Sequence, residues 1–189
     1  MIDIKKKDKN TKIIAICSLI FGLFSVIPFY IGTLFNIISW ILYMIVLYRL
    51  KIYAGAKNLF KNYFITLFIL LSCFILSYLL FIFFIYYFIN SDYSDEPYFL
   101  LISFIAVLLI VYVLFCLIYF KFFKRILYEI ARVTNQPYFI KAYKMYFYGF
   151  LTLPILIGVI FIIIGCVYNF LAWWNFKEFN KSEFIENQD

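Results

Sequence analysis

Four long stretches of this chain contain no Asp, Glu, Lys, Arg or His: Ile13 to Tyr48, Tyr63 to Phe88, Tyr98 to Phe120 and Met145 to Phe176. A helix needs about 20 apolar residues to cross a hydrocarbon core about 30 Å thick, so each stretch is long enough to cross a bilayer. With 67% apolar residues and a mean hydropathy of +0.97, the 189-residue chain falls in the multi-pass helical membrane class and leaves no room for a soluble domain. It is read as one membrane domain over 1–189.

Two of the stretches are too long for a single crossing. Tyr146 to Trp174 as one helix would reach about 43 Å at 1.5 Å per residue. In its middle stands Pro154-Ile155-Leu156-Ile157-Gly158, where the proline removes a helix hydrogen bond and the glycine permits a sharp turn. The block from Ile13 to Tyr48 is split by the same signature, Pro28-Phe29-Tyr30-Ile31-Gly32. Each block therefore reads as a hairpin of two short helices turning at Pro28 and Pro154.

Six spans follow, at about 12–27, 32–49, 62–89, 97–120, 138–153 and 158–176. Asn10 or Thr11 is expected to cap the first helix near Lys12. Gly55 breaks the basic connection 49–61, and the only acidic loop holds Asp92, Asp95 and Glu96. Pro97 opens the fourth helix at a favoured position, with Asp95 as its cap. That helix is expected to continue past the membrane through Arg132, with Arg125 and Glu129 four apart on one face. Asn135 and Pro137 punctuate the chain before the fifth helix, which must start near Tyr138.

The basic residues test this threading. With the N-terminus inside, the inner segments 1–12, 49–61, 121–144 and 177–189 contain all 17 Lys and Arg residues, and the outer turns contain none. That distribution follows the positive-inside rule and places both termini on the cytoplasmic side of the cell membrane. A five-span alternative, with 146–174 crossing once, would strand Lys177 and Lys181 outside.

The net charge of +7 therefore reads as membrane orientation, not as a nucleic-acid footprint. The aromatic share of 25% accompanies an excess of Ile, Lys and Asn, all with A/T-rich codons, and reads mostly as genome composition. Cys17, Cys73, Cys116 and Cys166 stand apart with no Cys-x-x-Cys spacing, and histidine is absent, so neither a disulfide framework nor a metal site is suggested. Lys5-Lys6-Lys7 before an apolar run imitates a signal peptide, but without a small-residue cleavage site it reads as an uncleaved first helix.

Aligning the two hairpins at their prolines gives an ungapped offset of 126 residues, pairing Pro28 with Pro154, Gly32 with Gly158 and Lys51 with Lys177. Because both hairpins leave from and return to the inner side, this would be a parallel internal repeat. Gly158, Ile162, Gly165, Asn169 and Ala172 share one face of the sixth helix, and Gly32, Asn36, Ser39, Tyr43 and Val46 are their counterparts. Such a stripe is how membrane helices pack; the competing reading is that Asn36 and Asn169 line a cavity for a neutral or lipidic ligand. Ile160, Ile163, Val167 and Phe170 on the opposite face suit lipid.

Three segments carry a family resemblance: Val26 to Gly32, Gly55 to Phe60, and Ile130 to Ala142 with its Thr134-Asn135-Gln136-Pro137 centre. They resemble the small multi-pass family catalogued as domain of unknown function 996, over roughly 12–176. Asn135 and Tyr143 stand where that family's pattern has glycine. The resemblance implies a multi-pass topology and no particular activity.

No Asp, Glu, Lys, Arg or His lies within the four uncharged stretches, which argues against proton coupling, voltage sensing and intramembrane catalysis. No enzymatic role, cofactor or nucleic-acid partner is expected. The reading is a structural or interaction protein whose basic inner faces, Lys121, Lys124 and Arg125 above all, contact anionic lipid headgroups or a partner, with self-association open. The alternative is a transporter or pore for neutral or hydrophobic solutes.

Overall fold

The computed structural model describes residues 2–28, 30–90 and 97–179, with side chains over 8–28, 30–86 and 101–179. The acidic loop with Asp95, Phe29 of the first turn and the tail from Asn180 lie outside the described residues. Six α-helices are described: α1 (Ile2–Phe24), α2 (Tyr30–Ala54), α3 (Leu59–Asn90), α4 (Pro97–Thr134), α5 (Tyr138–Leu151) and α6 (Gly158–Asn175). Each helix packs against the next in sequence, α6 returns to α1, and α2 touches α4 across the middle, so the six close into a ring.

α2, the Leu59–Tyr86 part of α3, the Leu101–Thr134 part of α4, and α6 are long and apolar enough to cross a membrane. The other two are not. α5 has 14 residues, about 21 Å, and the uncharged part of α1 from Ile13 to Phe24 reaches only about 18 Å.

The tightly packed core lies at one end of the ring. Val46, Leu47 and Leu50 of α2, Ile126, Leu127 and Ile130 of α4, and Phe139, Trp173 and Phe176 are nearly inaccessible there. This is the end where the basic connections lie. Farther out, α3 and α4 keep each other company, as in the stacking of Phe84 on Phe104 at 4.0 Å, while exposing Phe74, Tyr78, Phe83 and Ile110. An all-apolar exterior is what a helix surface facing acyl chains requires.

α1 begins ten residues before its expected start. Asn10 and Thr11 lie inside it and do not cap it. The physical reason is packing: Asp8, Thr11, Ala15 and Ser18 fall on one face and are all buried, which draws the helix back through the basic segment. Lys12 then donates to the carbonyl of Trp174 and lies over its ring at 5.7 Å, placing a cation at the C-terminal end of α6.

The last apolar block is broken as its length requires. α5 ends at Leu151, a 3-10 turn covers Leu153–Ile155, and α6 starts at Gly158. The glycine has a different task from the one expected, because the left-handed residue of this turn is Leu156, at φ 65°. Gly158 is helical and buried, and a Cβ there would meet the Gly149 carbonyl oxygen at 2.1 Å. Gly32 is likewise helical, with a Cβ 2.0 Å from the Ile27 carbonyl oxygen. Both glycines serve close approach.

Candidate functional site

The basic end is built by two chain reversals. Gly55, at φ 69°, ends α2 and lets the chain turn into α3. α4 ends in a Schellman motif, with Gln136 N–H donating to Ala131 O at 3.1 Å, Asn135 N–H to Arg132 O at 3.4 Å, and Asn135 left-handed at φ 52°. Asparagine is one of the few residues besides glycine that adopt this left-handed conformation readily. Pro137 then starts the turn into α5.

Between these reversals lies an open groove of about 970 Å3, walled by Lys61 and Asn62 of α3, Arg125, Glu129 and Arg132 of α4, and Gln136. Three cations and one carboxylate share it. The Glu129 carboxylate is half-buried, and burial raises its pKa against the opposing influence of the Asn58 backbone and the Arg132 charge. With three cations against one carboxylate, the groove presents a net positive face.

Lys121, Lys124 and Arg125 are all exposed on α4, and of these Arg125 lines the groove. The Lys124 ammonium lies over the Tyr128 ring at 5.2 Å and the Arg125 guanidinium over the Phe122 ring at 5.2 Å, so both charges rest against aromatic faces. Lys141 is held similarly, between Tyr138 at 5.3 Å and Tyr168 at 5.9 Å. The contributions of Lys61, Arg132 and Gln136 do not stand out in the sequence. The signal available is their position at helix ends that the Gly55 and Asn135 reversals bring together.

The small-residue stripes face their hairpin partners. Gly158, Gly165 and Ala172 are buried, and the Tyr146 ring of α5 lies where a Cβ on Gly165 would be, at 2.8 Å. Asn169 is half-buried and within hydrogen-bonding reach of the Tyr146 hydroxyl. On the other hairpin the Ser39 hydroxyl donates to Ser18 O at 2.8 Å, and Ser18 returns a bond to Ser39 O at 2.9 Å.

Asn36 and Asn169 do not come together. Asn36 is exposed toward an apolar cavity of about 620 Å3 between α1, α2 and α6, which Asn169 does not line. Ile163, Val167 and Phe170 of α6 line that cavity, so this face is directed at the first hairpin as well as outward. Ser72 bonds its own helix at Phe68 O, 2.9 Å.

No curated protein matches the chain, and no solved structure does. A family model does match, over residues 35–167, from α2 into α6, and so includes the groove, both reversals and the turn of the last hairpin. The chain belongs to the family described as "Protein of unknown function (DUF996)".

Proposed function

We propose that this is a six-span protein of the cytoplasmic membrane, with both termini in the cytoplasm, whose inner end binds anionic lipid headgroups in a structural or interaction role. The groove carries the reading: Lys61, Arg125 and Arg132 face one space beside the amide groups of Asn62 and Gln136, with exposed Lys121 and Lys124 alongside. A phosphodiester there gains charge-assisted hydrogen bonds while its acyl chains stay beside α3 and α4. Each well-placed basic residue contributes about 1 kcal/mol at an anionic leaflet.

The break between α5 and α6 supports six spans over five, since both arms of each hairpin then end on the basic side. A parallel repeat is supported by the two glycines, each packed against the backbone five residues earlier, Ile27 for Gly32 and Leu153 for Gly158. The short α1 and α5 are accommodated by packing inside the ring, where neighbouring helices cover their ends.

Native mass spectrometry of the delipidated protein tests the headgroup reading. Phosphatidylglycerol should remain bound under conditions that strip phosphatidylcholine, and Lys121→Gln, Lys124→Gln and Arg125→Gln together should weaken that retention severalfold. Glu129→Gln, which removes the groove's carboxylate, should strengthen it. Equal retention of the two lipids would refute the reading. Single cysteines test the threading: Asp92→Cys should label from outside, and Lys57→Cys, Lys124→Cys and Ser182→Cys only after permeabilisation.

Passage of neutral or apolar solutes is a second reading, favoured by the 620 Å3 cavity in which Asn36 faces apolar walls. Flux across proteoliposomes separates it from a binding role.

A further inference from the structure

Four helices that follow one another in the chain each contribute a tyrosine to a common space: Tyr43 from α2, Tyr63 from α3, Tyr119 from α4 and Tyr146 from α5. They line a cavity of about 300 Å3 that borders the inner core, with Phe120 and Phe150 among its other walls. The four side chains border one space, and the rings of Tyr43 and Tyr63 lie 5.7 Å apart.

One of the four hydroxyls is committed to the protein: that of Tyr146 donates to Cys166 Sγ at 3.6 Å. Tyr43 and Tyr119 make no hydrogen bond to protein among the described residues. Both residues line the cavity, so a ligand carrying an acceptor can take a hydrogen bond from two hydroxyls at once.

The lining defines the chemistry of that ligand. It holds no acidic or basic side chain, so an anion entering it would lose its water without meeting a counter-charge. The ligand is therefore not an anion, and the phenolic donors call for a neutral acceptor. Phenyl walls favour a flat ring, which can stack or meet them edge to face, and phenolic O–H groups favour a carbonyl oxygen. A volume of about 300 Å3 is at the small end of ligand sites, enough for one substituted ring. Leu67, Leu70 and Phe150 on the wall are partly exposed on the bundle's apolar exterior, which gives the ring an entrance from hydrocarbon and leaves an isoprenoid or alkyl tail among lipid.

We propose that this cavity binds the head of a membrane quinone, with the Tyr43 and Tyr119 hydroxyls donating to a ring carbonyl and with no change in the quinone's oxidation state. The site is independent of the basic groove.

The test uses the full chain in quinone-free nanodiscs, titrated with decylubiquinone against empty nanodiscs. Saturable binding at one ring per chain is expected. Tyr43→Phe with Tyr119→Phe keeps both rings and removes both donors, and should weaken binding by about tenfold or more, at about 1 kcal/mol per neutral hydrogen bond. Tyr48→Phe, the same change at an exposed position away from the cavity, should leave it unaltered. Only the unsaturable partition seen with empty nanodiscs, or full affinity in the double variant, would overturn the proposal. A double variant that binds normally and is more stable would mean that water fills the space. Should the double variant not fold, Leu70→Trp at the lipid-side entrance decides the matter, since retained affinity there also overturns it.

Discussion

The first and last hairpins carry the same Pro-x-x-Ile-Gly signature, and at equivalent positions, Ser39 and Gly165, their helices come close; the means of approach differ. In the first hairpin Ser18 and Ser39 exchange hydroxyl-to-carbonyl bonds of 2.9 and 2.8 Å. In the last, Gly149, Gly158 and Gly165 leave room for backbone and for the Tyr146 ring. In lipid there is little hydrophobic drive between helices, so close packing and interhelical hydrogen bonds must do the joining. The pair shows one pattern of small residues serving either mechanism.

The largest effect is expected where the hairpins agree. Gly158→Ala and Gly32→Ala each drive a methyl group into a backbone carbonyl, at 2.1 and 2.0 Å, and neither carbonyl can move without undoing its turn. Each should cost about 3 kcal/mol or more of stability in detergent. A tolerated Gly32→Ala beside a damaging Gly158→Ala would break the likeness between the turns.

Gly165→Leu comes next. It displaces the Tyr146 ring, which can yield more readily than backbone, and should cost about 1–3 kcal/mol. Ser18→Ala with Ser39→Ala should cost about 1–2 kcal/mol, because two interhelical bonds are lost without any clash. If the serine pair costs more than Gly165→Leu, hydrogen bonding outweighs packing in these hairpins, and the expected ranking of the two mechanisms is reversed.

The smallest effects separate the faces of α6. Asn169→Leu removes an amide near the Tyr146 hydroxyl and should cost about 0.6 kcal/mol by bilayer estimates. Ile163→Leu, on a side chain 57% exposed, should be nearly neutral. Guanidinium or thermal unfolding in one detergent ranks all of these. Equal losses for Gly165→Leu and Ile163→Leu would show that the wrong face of α6 has been assigned to α5.

Much of the architecture is legible in the sequence because it rests on local rules. The break at Pro154, the reversal at Gly55, the start of α4 at Pro97 and its continuation to Thr134 each follow from backbone chemistry or from unbroken helical pattern. The beginning of α1 is not legible, because a polar, lysine-rich segment reads as a helix only once Asp8 and Thr11 have a core to enter. The glycines of the two turns suggest torsional freedom when their role is steric, a distinction that depends on which carbonyl lies opposite. The tyrosines merge into the general aromatic excess, since Tyr43, Tyr63, Tyr119 and Tyr146 share no spacing that would mark them as a set.

The sequence by itself determined the class, the family and the order of helices, because apolar run length, proline and basic residues act over short distances and need no partner. Tertiary structure alone decided that the core gathers at the basic end, that Lys61, Arg125 and Arg132 share one groove, and that four tyrosines meet in one cavity. Those residues lie on separate helices. Which of their faces meet depends on how the ring closes, and closure is set by the packing of all six helices together.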